Sequence, residues 1–327
     1  MIWLYVLLGV IGLFILVFVI LFIFVLKSYN KMFNKRFEPD PLITYYKMEE
    51  FNLDCKRIEI NCNDEYIRGG IYTYGDYDNN KIIIFSHGMG ACKDAYMQEI
   101  GYLAQNGFMV LGYDYLGTYE SSGKLMGFGD SVKSLDCVIN YVKNNDELKN
   151  KEIYVMGHSW GGYATINIVK FHKDVKGVIA LAPFVSVSSL LRYGIKRRSV
   201  ITILMIELIE LLRFGKYADC DGLNSLKGYS GKILLLQSKD DNQVKFETSL
   251  KYLKNNLGDK CEYVIMEDRM HNPDYTLDSI KYFNEFFSNV GNYSGDELKE
   301  YFKKQSFHKM GELDPIVMNK IIDFIKK

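Results

Sequence analysis

Neither sign of charge dominates this chain of 327 residues: lysine plus arginine number 40, and aspartate plus glutamate number 40. There is no dense basic block either. A nucleic-acid partner is therefore not expected, because phosphate backbones are met by concentrated positive charge. Cysteine is sparse, at positions 55, 62, 92, 137, 220 and 261, and no pair has C-x-x-C spacing. That argues against a zinc site and against a dense disulfide framework. Scattered thiols within strand-like and helix-like patterns suit a reducing compartment. Histidine occurs five times with no H-E-x-x-H pair, so the sequence offers a metal mechanism no support and calls for no cofactor. No internal repeat is visible.

What the chain does have is apolar content, 48% of residues, enough to build a sizeable core in one large domain or two small ones. Residues 1–26 contain no charged side chain. Ile2 to Leu26 as a helix would extend about 37 Å, against a hydrocarbon core of about 30 Å. A buried core helix is the rival reading. A cleaved signal peptide is another, but the basic leader, shorter apolar stretch and small-residue cleavage site it requires are not evident. A transmembrane anchor is expected. Lys27, Lys31, Lys35 and Arg36 follow it at once, which by the positive-inside rule puts the remainder on the cytoplasmic face of the cell membrane. Residues 27–50 read as a polar connector with Pro39 and Pro41, and 51–327 as the main domain.

In that domain, Lys56–Ile60 and Tyr66–Tyr74 alternate as antiparallel strands, and Asp78-Asn79-Asn80 reads as a turn. Apolar strand runs follow at 82–85, 108–113, 153–156, 178–181, 233–236 and 263–266. Helical patterns lie near 94–105, 130–144, 162–171, 245–256, 275–288 and 316–326. Continuous apolar strands alternating with helices predict an α/β fold, a mostly parallel sheet covered on both faces. Residues 185–230 are too long for a simple crossover and read as a helical cap containing the apolar run Ser199–Phe214. Three roles are open to it. It could be a lid over an apolar acyl pocket, a surface resting on anionic lipid through Arg192, Lys196, Arg197 and Arg198, or a helix that completes the core.

One motif stands out. Gly157-His158-Ser159-Trp160-Gly161 joins the strand Ile153–Met156 to a helical stretch. A serine on such a sharp strand-to-helix turn exposes a nucleophilic hydroxyl, although the pattern is short enough to need its context. An activated serine also needs a base, an orienter of that base and oxyanion donors. His271, in the loop after the last strand run, is the candidate base. His87, His158, His172 and His308 lie in turn, elbow, helix-end and tail positions. Asp240 and Asp241 follow the strand 233–236 and are candidate acids; Asp241 is favoured by its spacing to Ser238 and Val244. The N–H groups of Met89, after the strand 82–85, and of Trp160 are the expected oxyanion donors.

On Ser86-His87-Gly88, the run Tyr113 to Gly123, the serine elbow, the Asp241 loop and His271, the chain resembles the α/β-hydrolase superfamily. Within it, the serine aminopeptidase and monoacylglycerol-lipase-like branch is the most similar, as are membrane-anchored bacterial hydrolases. The resemblance covers about residues 55–327 and implies a Ser159–His271–Asp241 triad acting without metal or cofactor. It departs from the family pattern at Tyr115-Leu116-Gly117-Thr118-Tyr119, where Arg-Gly-x-Gly is usual, and at Ser238, where glycine is common. Residues 275–310 are longer than usual, and Ser294-Gly295-Asp296-Glu297 reads as a capping box opening an added helix. The expected activity is hydrolysis of a carboxylic ester, lipophilic given the anchor and cap: a monoacylglycerol, lysolipid or acylated protein. A serine aminopeptidase is the alternative, with Glu207, Glu210, Asp219 and Asp221 available to an amine. A catalytically silent scaffold is the second alternative.

Overall fold

The computed structural model describes residues 1–195 and 199–327. Lys196, Arg197 and Arg198 of the cap's basic group lie outside the described residues. An uninterrupted helix α1 (Ile2–Met32) opens the chain and is the one described helix long and apolar enough to cross a membrane. Its last turn belongs to the domain: Tyr29 is buried, and so is Phe33 just beyond it.

Eight strands form one sheet. They are β1 (Asp54–Cys62), β2 (Glu65–Thr73), β3 (Asp78–Ser86), β4 (Phe108–Tyr113), β5 (Glu152–His158), β6 (Gly177–Leu181), β7 (Lys232–Ser238) and β8 (Glu262–Met266). Their spatial order is β1-β2-β4-β3-β5-β6-β7-β8. Antiparallel pairing is confined to β1–β2 and β2–β4; β4, β3, β5, β6, β7 and β8 run parallel. The expected turn at Asp78-Asn79-Asn80 is instead the irregular start of β3, where Asp78 already pairs with Phe108 and its carboxylate accepts the Asn80 N–H at 2.9 Å. The local Asx bond that makes such a triplet look like a turn is present, but the strand absorbs it as a register shift.

The buried strands alternate strictly in what they serve. Ile82 and Ile84 of β3 and Ile153 and Val155 of β5 join one core, and Ile83, Phe85, Tyr154 and Met156 join the other. The first core is closed by α3 (Gly129–Asn144) and α4 (Trp160–Ile168), the second by α2 (Met97–Gln105) and by Pro315–Lys326 at the C-terminus. The cap, between β6 and β7, holds α5 (Val187–Ser189), α6 (Val200–Phe214) and α7 (Gly222–Lys227). After β7 come α8 (Leu250–Leu257), then α9 (Leu277–Val290), α10 (Gly295–Lys303), α11 (Phe307–Met310) and α12 (Pro315–Lys326). A third apolar cluster, Phe286, Phe302 and Met310, ties α9 to α11 together with Leu42 and Ile43 of the connector. The added helix α10 does start after Ser294, but Ser294 makes no capping bond, so the expected box does not close.

The cysteine reading needs one correction. Cys62, ending β1, and Cys137, in α3, are joined as a disulfide with Cα atoms 5.8 Å apart. The partners are 75 residues apart, and only the packing of α3 beneath β1 brings them together, so no local spacing announces the pair. Cys92, Cys220 and Cys261 are buried free thiols, and Cys55 is a half-buried one.

Candidate active site

The sheet register builds the site. Ser86 pairs with Gly157, His158 with Leu181, Leu181 with Leu236 and Ser238 with Met266. The carboxyl ends of β3, β5, β7 and β8 are thereby level, and the loops leaving them share one edge, where open α/β sheets place their sites.

At the end of β5 the chain turns so sharply that Ser159 has φ 56° and ψ −112°. A side chain at Gly157 would put its Cβ 2.5 Å from the Gly161 carbonyl oxygen, and one at Gly161 would lie 2.0 Å from the Ser86 carbonyl oxygen. Both distances are far inside contact, so the flanking glycines are required by the turn. The strained conformation is held by the Ser159 N–H donating to the Leu181 carbonyl at 2.8 Å and by the Tyr163 N–H donating to the Ser159 carbonyl at 2.9 Å.

Ser159, His271 and Asp241 meet here. His271 Nε2 is 2.8 Å from Ser159 Oγ, and its Nδ1 is 3.0 and 2.9 Å from the two Asp241 oxygens. A carboxylate can only accept, so Nδ1 carries the hydrogen and Nε2 is left to accept the serine O–H. Asp241 and His271 are both buried. The carboxylate is fixed by the N–H groups of Gln243 and Val244, each at 2.9 Å, and by Gln237 Nε2 at 3.0 Å. Asp240 points elsewhere: it accepts from Ser238 Oγ and from the Met270 N–H at 3.3 Å, strapping the histidine loop to β7. Adjacent carboxylates thus take divergent tasks.

Met89 follows the end of β3 and is exposed, whereas Trp160 opens α4 and is buried. Among the described residues, no loop or side-chain acceptor takes either main-chain N–H. His87 is held away from Ser159. Its Nδ1 donates to the Gly88 carbonyl at 2.8 Å and its Nε2 accepts the Tyr115 N–H at 3.3 Å, while burial pushes its pKa down to about 4.

Sequence reasoning passed over three residues. His158 Nε2 donates to the His271 carbonyl at 2.8 Å, its Nδ1 accepts from Tyr96 Oη at 2.8 Å, and Tyr96 Oη accepts the Gly88 N–H at 3.1 Å. This chain of bonds links the loop after β3 to the backbone of His271. Burial holds His158 neutral, with a pKa near 3. Gln237 is the third; a polar residue ending the apolar run Leu234-Leu235-Leu236 was the available signal.

The loop that departs from the family pattern is secured differently. Leu116 stands where arginine is usual, and Tyr119 adopts φ 41° where glycine is usual. Arg36, just beyond α1, donates to the carbonyls of Ser121 at 2.9 Å, Gly123 at 3.1 Å and Tyr119 at 2.6 Å. An arginine from the juxtamembrane segment thus clamps the loop.

In the cap, Glu207, Glu210, Asp219 and Asp221 all line one cavity of about 570 Å³. Glu210 is already committed. It accepts the Phe128 N–H at 2.8 Å, the Gly129 N–H at 3.0 Å and the Tyr29 hydroxyl, and burial pushes its pKa up to about 7. Among the described residues, no three His, Cys, Asp or Glu side chains gather as a metal-holding group.

The chain has the α/β-hydrolase fold. Residues 77–224 match the family model described as serine aminopeptidase, S33. Among solved structures, an esterase from Pyrococcus furiosus is 20% identical with a TM-score of 0.57, covering 82% of this chain and 98% of its own. Est1E from Butyrivibrio proteoclasticus, with ferulic acid bound, is 17% identical with a TM-score of 0.57, covering 71% and 98%. A puromycin-hydrolyzing peptidase from Mycobacterium tuberculosis is 15% identical with a TM-score of 0.54, covering 68% of this chain and 36% of its own. No curated protein matches the chain in sequence.

Proposed function

We propose that this protein is a serine hydrolase of carboxylic esters, acting through an acyl-enzyme. The observation that carries the reading is the serine–imidazole–carboxylate line, with His271 Nε2 at 2.8 Å from Ser159 Oγ and Asp241 on the other ring nitrogen. Ser159 Oγ attacks the ester carbonyl carbon as its proton passes to His271 Nε2. The tetrahedral oxyanion is received by the N–H groups of Met89 and Trp160, and Asp241 steadies the imidazolium. The ester C–O bond then breaks, and His271 returns the proton to the leaving alcohol. Water, deprotonated by His271, attacks the acyl-enzyme, and the serine leaves with that proton. No metal or cofactor enters any step.

The apolar helix α1 supports a single-pass anchor in the cell membrane, and the four cations after it support a cytoplasmic domain. An enzyme held at a bilayer meets lipophilic esters, so a monoacylglycerol, lysolipid or acylated protein is the proposed substrate. Structural kinship with esterases supports the ester reading. A second reading, a serine aminopeptidase, is favoured by Glu207, Asp219 and Asp221 around one cap cavity, which could receive a substrate amine. The complete triad weighs against a silent scaffold.

The test is a panel of p-nitrophenyl esters, monoacylglycerols, lysophospholipids and aminoacyl amides. Ester turnover should exceed amide turnover, and Ser159→Ala should lower it by at least about 10³-fold and abolish fluorophosphonate labelling. Full activity in Ser159→Ala would sink the mechanism. Amides preferred over every ester would select the aminopeptidase.

A further inference from the structure

Helix α6 is apolar on two sides. Its inner side, with Ile203, Ile206, Ile209 and Phe214, is buried. Its outer side carries Ile201, Leu204, Leu208, Leu211 and Leu212, which are 59, 57, 37, 53 and 72% exposed. Their spacing of three, four, three and one residues makes one stripe. A helix apolar on both sides belongs at a membrane or in a core, and this one has only half a core.

The position of α6 says what lies on the other half. It is fastened to the end of α1: Glu210 accepts from Tyr29, Arg213 Nη2 donates to Asn30 Oδ1 at 2.5 Å, and the Arg213 guanidinium lies 5.3 Å over the Tyr29 ring. Those α1 residues sit between Lys27 and Lys31, the first charges after the apolar span. The C-terminal end of the outer stripe, Leu211 and Leu212, is thereby held near the residues with which α1 leaves its apolar span.

Between the two helices is a cavity of about 400 Å³, within the usual range for small-molecule sites. Leu21, Phe24 and Val25 of α1 supply apolar wall, as do Met205 and Ile206 of α6. Hydroxyls are few in the lining: Ser28 on α1, with Ser199 and Thr202 at the start of α6. From Leu21 to Met32 the α1 wall runs about 17 Å. Ile201 belongs both to the exposed stripe and to the cavity lining, so the stripe runs into the groove. The floor is Phe128, whose carbonyl accepts Trp160 Nε1 at 2.9 Å, one residue from Ser159.

We propose that this groove holds one acyl chain of a bilayer lipid, and that the outer stripe of α6 lies in the membrane interface. The apolar wall of the groove is the spanning helix itself, which makes a lipid chain the occupant the groove fits. The inference rests on α1 being a membrane span; it does not require that the bound lipid be the substrate.

The full-length protein reconstituted in phosphatidylcholine vesicles, doped with phosphatidylcholine bearing a diazirine on one acyl chain, tests it. After irradiation, peptide mapping should place adducts on α1 and also on Phe128 and Leu191, which line the groove and are otherwise buried. In Met205→Trp, and separately in Ile201→Trp, which fill the groove, adducts on Phe128 and Leu191 should fall about tenfold, the scale of losing one hydrophobic contact, while α1 labelling persists. Adducts on α1 or the outer stripe but on neither Phe128 nor Leu191 would overturn the groove and leave the span standing. Adducts on neither helix would overturn the span and the groove with it.

Discussion

A buried histidine that never takes a proton has a cost that depends on pH, and His158 is such a residue. Its ordinary pKa near 6.5 is pushed to about 3 by burial, and that of His87 to about 4. Below pH 6.5 the unfolded chain binds protons that the folded chain refuses until pH 4 or 3, so stability falls as pH drops through that window. The melting temperature of the wild type should therefore decline from pH 6.5 toward pH 4, and His158→Gln should show a shallower decline. Equal slopes would remove His158 from the account. His158→Phe also leaves the His271 carbonyl without a donor and the Tyr96 O–H without an acceptor, at about 1–3 kcal/mol each. On the proposed mechanism His158 positions His271 and touches no reacting atom, so kcat should fall with KM little changed; a change in KM alone would contradict the positioning role. At this scale Ser159, Asp241 and His271 were legible because a motif and a chain order mark them. Tyr96 was not, because it meets His158 across 62 residues and no pattern links the two.

Glu210 joins three elements through one carboxylate: α6 that carries it, the first turn of α3 through Phe128 and Gly129, and α1 through Tyr29. An acidic group at a helix N-terminus is also favourably placed in the helix dipole. Glu210→Leu would fill similar space while leaving the Gly129 N–H and the Tyr29 O–H without an acceptor, at about 1–3 kcal/mol for each buried group. The expected outcome is a lower melting temperature and new protease cleavage within residues 187–227, the span from α5 to α7. An unchanged digest would show that the cap is held by apolar packing alone. The strands and helices themselves were readable from periodicity, since each apolar run is bounded by turn residues. Where local signals misled, tertiary bonding decided: Asp78 was drawn into β3, and Ser294 did not cap α10. Glu207 and Glu210 looked alike in the apolar run; only the packing distinguishes the buried one, at 2% exposure, from its neighbour.

For the molecule as a whole, two features pull in opposite directions. The cations after α1 favour a cytoplasmic domain, whereas a disulfide such as Cys62–Cys137 persists mainly in oxidising compartments. On the cytoplasmic reading, the two cysteines are thiols in the living cell and pair once the protein is purified in air. Alkylation of acid-quenched cells should then label both, while the purified protein should lose about 2–4 kcal/mol of stability on reduction, measured by denaturant titration. Protection of both cysteines in the quenched cells would move the domain to the other face of the membrane.

The burial of Tyr29 and Phe33 in the main core also decides where the domain can be cut free. Removal of residues 1–26 spares both aromatic rings, the Glu210 bond and the Arg36 clamp, so the remainder should fold as a monodisperse protein in water or mild detergent. Removal of residues 1–36 takes all of them away and should give insoluble material. A protease that released the domain in nature would face the same restriction: its cleavage must fall before Tyr29, ahead of the last turn of α1, for the released piece to keep its architecture.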